Sequence, residues 1–191
     1  MKLVIIEGIA TSGKTSVIKE LEKILKKEKI DYTTIKEKET LLPIFKDRSK
    51  KTNLNFISKL LKKYLKLRNK RIIIFDRLYL THIYRTKSNI KDFESIGILL
   101  KRNNVTIVLL TIKEEKIKER ILGASKHREK TWWKDILNER GDEKDIEEYY
   151  IKQQRKFLDF VSSINIPVII LDTTDSNFKK TAQQIFEKVK N

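Results

Sequence analysis

The stretch IIEGIATSGKTSVIKEL, Ile5 to Leu21, carries the signal that sets the fold. An apolar run stops at Glu7. Gly8-Ile9-Ala10-Thr11-Ser12-Gly13-Lys14-Thr15 then spells G-x-x-x-x-G-K-[ST], and apolar residues at 17, 18, 21, 24 and 25 open a helical pattern behind it. A strand, a glycine-rich turn and a helix start, in that order, form the context of a phosphate-binding loop. Such a turn aims successive backbone N–H groups at phosphate oxygens, and the helix start adds the positive end of its dipole. Lys14 stands where it reaches the β and γ phosphates, and Thr15 where its hydroxyl ligates Mg²⁺. The expected ligands are ATP and Mg²⁺.

Working outward, apolar and β-branched runs read as strands at Lys2–Ile6, Asp31–Lys36, RIIIFD (71–76), VTIVLL (105–110) and IPVIILD (166–172). Helical periods occupy Lys14–Lys29, Thr52–Asn69, Ser88–Asn103, Lys113–Leu122, Asp142–Ser163 and Asn177–Lys190. Glu37–Lys51, with Pro43, reads as irregular, and GASKHREKTWW (123–133) as a basic segment of weak period. Strands alternating with helices imply a parallel sheet covered on both faces, and in such sheets ligands sit at the carboxyl ends of the strands. Asp76 falls at one of those ends. Its carboxylate is placed for Mg²⁺, directly or through water, or for an acceptor hydroxyl. Arg77 beside it offers a bidentate fork for an anionic acceptor. No repeat or linker interrupts the chain, so one domain over 1–191 is expected.

Composition narrows the class. The chain has no cysteine, which excludes disulfides and thiolate metal sites, and only two histidines, His82 and His127. The first apolar run is too short for a secretory signal or a membrane span, so a cytoplasmic protein without a membrane partner is expected. The formal charge of +17 comes from 43 basic and 26 acidic residues. Lysine outnumbers arginine 33 to 10 and alanine occurs three times, the mark of an AT-rich genome as much as of a polyanionic partner. The charge is nevertheless uneven: Lys46–Arg71 holds 11 basic residues and one acid, Asp47. No dedicated nucleic-acid module is visible. A nucleic-acid partner is therefore less favoured than a small nucleotide or nucleoside, and a homodimer is left open.

Several motifs resemble the thymidylate kinase and deoxynucleoside kinase group of P-loop kinases. Glu7 before the first loop glycine resembles that group's opening. DRLYLTHIY (76–84) resembles its Asp-Arg motif with a Thr, Thr81, four residues on. LLTIKEEKIKERI (109–121) is similar to the lead-in to its lid, and EEYYIKQQRKFLDF with IPVIILDTT to its closing helix and strand. The resemblance implies an α/β P-loop NTPase fold, a five-stranded parallel sheet of order 2-3-1-4-5 with helices on both faces, and a small lid at about 123–140. It implies transfer of the γ-phosphoryl of ATP to a nucleoside monophosphate, in the narrowest form dTMP to dTDP. Alternatives are a deoxynucleoside kinase, a 5′-end polynucleotide kinase and a non-catalytic nucleotide-binding module. By the same resemblance Asp76 and Arg77 serve the acceptor, Arg120 lies against adenine or the phosphates, Arg128 belongs to the lid, and Asp172, Thr173 and Thr174 border the adenine. The chain departs from the group in places. Glu37 lacks the proline that usually follows it, Leu78 replaces an aromatic residue, Arg128 is the one clear lid arginine, and Trp132-Trp133 has no counterpart. The four variable loop positions, Ile9, Ala10, Thr11 and Ser12, are uncharged. Positive charge for phosphoryl transfer is therefore expected from the lid, from Arg128 ahead of Arg120.

Overall fold

The computed structural model describes residues 2–66, 71–126 and 130–190. Five strands form one parallel sheet: β1 (Leu3–Gly8), β2 (Tyr32–Ile35), β3 (Ile72–Asp76), β4 (Thr106–Thr111) and β5 (Val168–Asp172), in the order β2-β3-β1-β4-β5. This is the sheet, and the strand order, that the family resemblance implied. β1 and β3 are buried along their whole length, as near-continuous apolar runs are when helices cover both faces. The period of two sorts their side chains. Leu3, Ile5, Ile73 and Phe75 face one core, with Ile57, Leu61 and Phe157. Val4, Ile6, Ile72 and Ile74 face the other, with Val17, Leu21 and Ile185.

Ten helices are described. Helices α1 (Lys14–Lys27) and α10 (Phe178–Val189) share one core. Helices α4 (Lys50–Leu65), α5 (Tyr79–Arg85), α6 (Glu94–Arg102) and α9 (Glu143–Ser163) contribute to the other. Helices α7 (Glu114–Ser125) and α8 (Lys130–Arg140) join α9 in a third cluster at the carboxyl end of the sheet, where Ile9 meets Ile117, Ile121, Ile136 and Tyr150. No helix among the described residues is long and apolar enough to cross a membrane.

Several boundaries differ from the sequence reading. Segment 37–51 is not irregular: it holds α2 (Glu37–Thr40) and α3 (Leu42–Lys46) before α4 begins. Pro43 is compatible because it occupies the first turn of α3, where an N–H has no partner to lose. Helix α4 starts at Lys50, ahead of the expected Thr52, because the Ser49 side chain accepts from Thr52 N at 3.3 Å and caps it. The helix expected over 88–103 is a 3₁₀ turn, Lys91–Phe93, followed by α6. Helix α5, seven residues within the DRLYLTHIY motif, shows no local periodicity long enough to read. The basic segment 123–133 resolves into the end of α7 and the start of α8, while His127, Arg128 and Glu129 lie outside the described residues.

Candidate active site

The loop between β1 and α1 bends through residues of positive φ: Gly8 at 148°, Thr11 at 66° and Gly13 at 83°. At Gly13 the conformation and the space both demand glycine. A Cβ there would stand 2.2 Å from Phe178 Cε1. Thr173, at the end of β5, welds the loop to the sheet: its hydroxyl lies 3.0 Å from the Ser12 carbonyl and 2.9 Å from that of Thr111. Arg120 does the same from α7. Its Nη2 donates to Thr11 O at 2.8 Å, and Nη1 donates to Thr173 O at 3.0 Å and Ser176 Oγ at 2.7 Å. Its guanidinium also lies 5.7 Å from the Phe178 ring. Asp172 turns into its own loop, accepting from Thr174 N at 2.7 Å.

Lys14 is folded back over the loop. Its Nζ donates to Gly8 O at 3.1 Å and Ile9 O at 2.6 Å, and lies 3.5 Å from Ser12 Oγ. Burial, followed by the neighbouring Arg77, pushes this amine down to about 7. Asp76 ends β3 beside β1, and its Oδ1 is buried with no hydrogen-bond partner. Burial raises its carboxyl above the usual range, against the pull of Lys14. Thr11 Oγ1 is likewise buried and unpartnered, whereas Thr15 stands exposed on the wall of the cleft.

Arg77 holds a positive φ of 63°, a conformation that costs a non-glycine residue about 1–3 kcal/mol and persists only where its surroundings enforce it. Here Arg77 N donates to Ile6 O at 2.9 Å and Nη1 to Gly8 O at 2.9 Å. Its Nε lies 3.0 Å from Glu37 Oε1, at the start of α2. The Asp-Arg segment is held from behind by Glu7. This fully buried carboxylate accepts from Leu78 N (3.0 Å), Leu80 N (2.9 Å), Thr81 N (3.4 Å) and Thr81 Oγ1 (2.6 Å). Glu7 thus caps α5 from another strand and sets the exit of the chain from β3.

The cleft these groups share has a volume of about 1100 Å³. Ala10, Thr11, Gly13, Lys14 and Thr15 line its floor, and Glu37, Arg77, Arg85 and Arg140 line its far side. A second cavity of about 680 Å³ adjoins it, with Arg85, Glu139 and Arg140 common to both. The Arg140 guanidinium sits 3.5 Å from the centre of the Tyr149 ring, and the Nε groups of Arg85 and Arg140 are buried without a hydrogen-bond partner. Neither arginine stands out in the sequence, because no motif spacing marks it: Arg85 ends the short helix α5, and Arg140 lies among the charged residues of α8. Trp133 packs against the third apolar cluster, and the Trp132 side chain falls outside the description, as does Arg128.

A phosphate-binding loop motif at the end of the central strand of a 2-3-1-4-5 sheet, with a carboxylate on the neighbouring strand, is the P-loop fold of the nucleotide-kinase type. Solved structures agree. The YorR protein of Bacillus subtilis, in complex with phosphorylated GDP, matches at 20% identity and a TM-score of 0.67, over 99% of this chain and 96% of that one. Deoxyadenosine kinase from M. mycoides with bound dCTP matches at 20% identity and a TM-score of 0.51, over 98% of each chain. No curated protein matches. The family model described as chromatin associated protein KTI12 matches residues 1–139. The chain belongs to the KTI12 family; the thymidylate kinase likeness of its motifs stands at the level of the P-loop kinase fold.

Proposed function

We propose that the protein is an ATP- and Mg²⁺-dependent phosphotransferase whose acceptor is a nucleotide or nucleoside. One observation carries this reading: the phosphate loop with Lys14 opens into the same cleft as Arg77 and Glu37, with the Asp76 carboxylate close enough to act on the Lys14 amine, so donor and acceptor machinery meet in one place. A loop kept for binding alone has no use for that second half.

The residues present fit the metal. Asp76 Oδ1 is buried and unpartnered, and Thr15 lines the cleft; these two would hold Mg²⁺, Asp76 directly or through water. When bound, the ion would offset the negative charge of the phosphates. The chain's own residues do the rest. Loop N–H groups orient the phosphates, and Lys14 turns its amine from the Gly8 and Ile9 carbonyls toward the β and γ oxygens. Arg77, with the unpartnered donors of Arg85 and Arg140, holds an anionic acceptor. That set favours a nucleoside monophosphate, with dTMP to dTDP as the narrowest form. Glu37, paired with Arg77 beside Asp76, supports the hydroxyl-acceptor alternative, in which a carboxylate takes the proton of a nucleoside or a 5′ end. Arg120 in this reading orders the loop, and Arg128 in the lid segment 123–140 supplies charge to the moving phosphoryl group.

An acceptor panel tests the proposal: ATP and Mg²⁺ with each nucleoside, each monophosphate and a 5′-hydroxyl oligonucleotide. Transfer to any of them, lost in Lys14→Ala, is the expected result. ATP binding without transfer to any of them refutes the enzyme reading. It would leave a nucleotide-binding module, which the family's description as chromatin associated favours.

A further inference from the structure

His82 is fully buried in α5, and both of its ring nitrogens face acceptors. Nδ1 lies 2.9 Å from Asn53 Oδ1, and Nε2 lies 2.8 Å from the Thr40 carbonyl oxygen. The Asn53 amide is oriented by its other end, where Nδ2 donates to the carbonyls of Asp47 and Ser49 at 2.9 and 2.8 Å. The atom it presents to His82 is therefore the oxygen. A neutral imidazole carries one N–H, so it satisfies one contact and sets lone pair against lone pair at the other. An imidazolium satisfies both.

The contact reaches the candidate site. Thr40 closes α2, the four-residue helix that begins at Glu37. Its hydroxyl donates to the Asp76 carbonyl at 2.8 Å, and its own carbonyl is the one facing His82. What holds Thr40 holds Glu37, and with it the ion pair to Arg77.

We propose that His82 is a positioning residue for the acceptor side of the cleft and acts as a proton-dependent latch. The imidazolium pins α2 to α5 and α4; loss of the Nε2 proton, with the remaining proton on Nδ1 toward Asn53, releases the Thr40 carbonyl and lets Glu37 move. The functional half rests on the acceptor site proposed above, whereas the latch itself does not.

Two sets of forces oppose each other at this ring. Burial lowers the imidazole, the Thr40 carbonyl pulls it up and Arg85 on the same helix lowers it further; the balance stands at about 4. The Asn53 oxygen pulls in the same direction as Thr40 by stabilising the charged form. From α4 the ring meets Asn53 and the stacked Phe56, 6.1 Å away at 19°; from α2 it meets Thr40. Arg85 is the charged group acting on it. The midpoint is therefore held well below the ordinary 6.5, at about 4.

His82 and His127 are the only histidines, so nitrogen-15 imidazole spectra recorded from about pH 3 to about pH 8 resolve each ring. The expected result is a His82 ring that carries both N–H groups below its midpoint, with amide exchange in 37–41 accelerating as the second proton leaves. Acceptor KM should rise by up to about tenfold per pH unit above the midpoint while ATP KM stays level. His82→Gln should abolish that dependence. Should this variant fail to fold, the wild-type spectra and exchange decide alone. A chain without transferase activity whose α2 exchange still follows His82 keeps the latch and loses the proposed function. A His82 that holds one proton throughout, or an α2 whose exchange ignores the His82 titration, overturns the latch.

Discussion

Lys14 combines two demands that conflict without a ligand. It must be positive to meet phosphate, yet its site is buried and next to Arg77, so the free protein holds its amine down to about 7. Anionic phosphates restore the charge, so at about pH 8 ATP binding should take up close to one proton. Calorimetry in buffers of different ionisation enthalpy reads this directly, and Lys14→Met should remove the uptake. Binding without uptake in the wild type would place Lys14 away from the phosphates. Asp76→Asn keeps the shape but removes the carboxylate assigned to the metal or acceptor. It should cut single-turnover transfer by at least about 100-fold, within the usual range for a positioned catalytic group, while ATP affinity changes by less than about threefold, or 0.65 kcal/mol. Equal loss of both would make Asp76 structural. Under saturating ATP, Arg128→Ala should slow the chemical step more than tenfold, or about 1.4 kcal/mol. Arg120→Ala, which frees the loop at Thr11, should raise the ATP KM. Chemistry untouched by either change would move the charge source to Arg77, Arg85 or Arg140.

At the scale of elements, short pieces of chain take their conformation from distant partners. Helix α5 has seven residues and no cap of its own; Glu7 supplies one from β1. Glu7→Ala leaves the N–H groups of Leu78, Leu80 and Thr81 without their carboxylate, a loss on the order of 3 kcal/mol at about 1–3 kcal/mol per buried donor. Glu7→Gln, which keeps one acceptor oxygen, should cost about half as much, and denaturant unfolding ranks the two. If the alanine variant proves as stable as wild type, Glu7 is not what holds α5. The loop–helix junction behaves similarly. Gly13→Ala meets the Phe178 ring at 2.2 Å and keeps a φ of 83°. It should destabilise the protein by about 1–3 kcal/mol, as overpacking does. Phe178→Ala in the same chain should recover the part due to the clash, so the pair should be clearly non-additive in a double-mutant cycle.

Across the whole molecule, a net charge of +17 sets up a field that draws anionic ligands toward the cleft and is screened over about 8 Å at physiological salt. For a monophosphate acceptor, kcat/KM should fall by about tenfold between low and physiological ionic strength, at the low end of electrostatic steering, and an uncharged nucleoside should show almost none of this. Equal salt dependence for both would mean that the charge reflects composition alone.

The sequence by itself determined the strands and the positions of Lys14, Asp76 and Arg77 at their ends, because each depends on neighbours a few residues away; the strand order came with the family resemblance. Buried strands announce themselves as unbroken apolar runs. The loop needs consecutive N–H groups, and a carboxylate at a strand end is read from where the run stops. The tertiary structure decided what those residues lean on. Glu7 reaches Leu78 across a separation of 71 residues, Arg120 reaches Thr11 across 109, and Thr173 reaches Ser12 across 161. Arg85 and Arg140 meet at one cleft only because α5 and α8 both pack against α9. His82 faces two acceptors only because α2, α4 and α5 converge on it. No local period encodes such pairings; they arise when buried polar groups, denied water by the packing of the sheet and helices, must find partners wherever the fold has brought them.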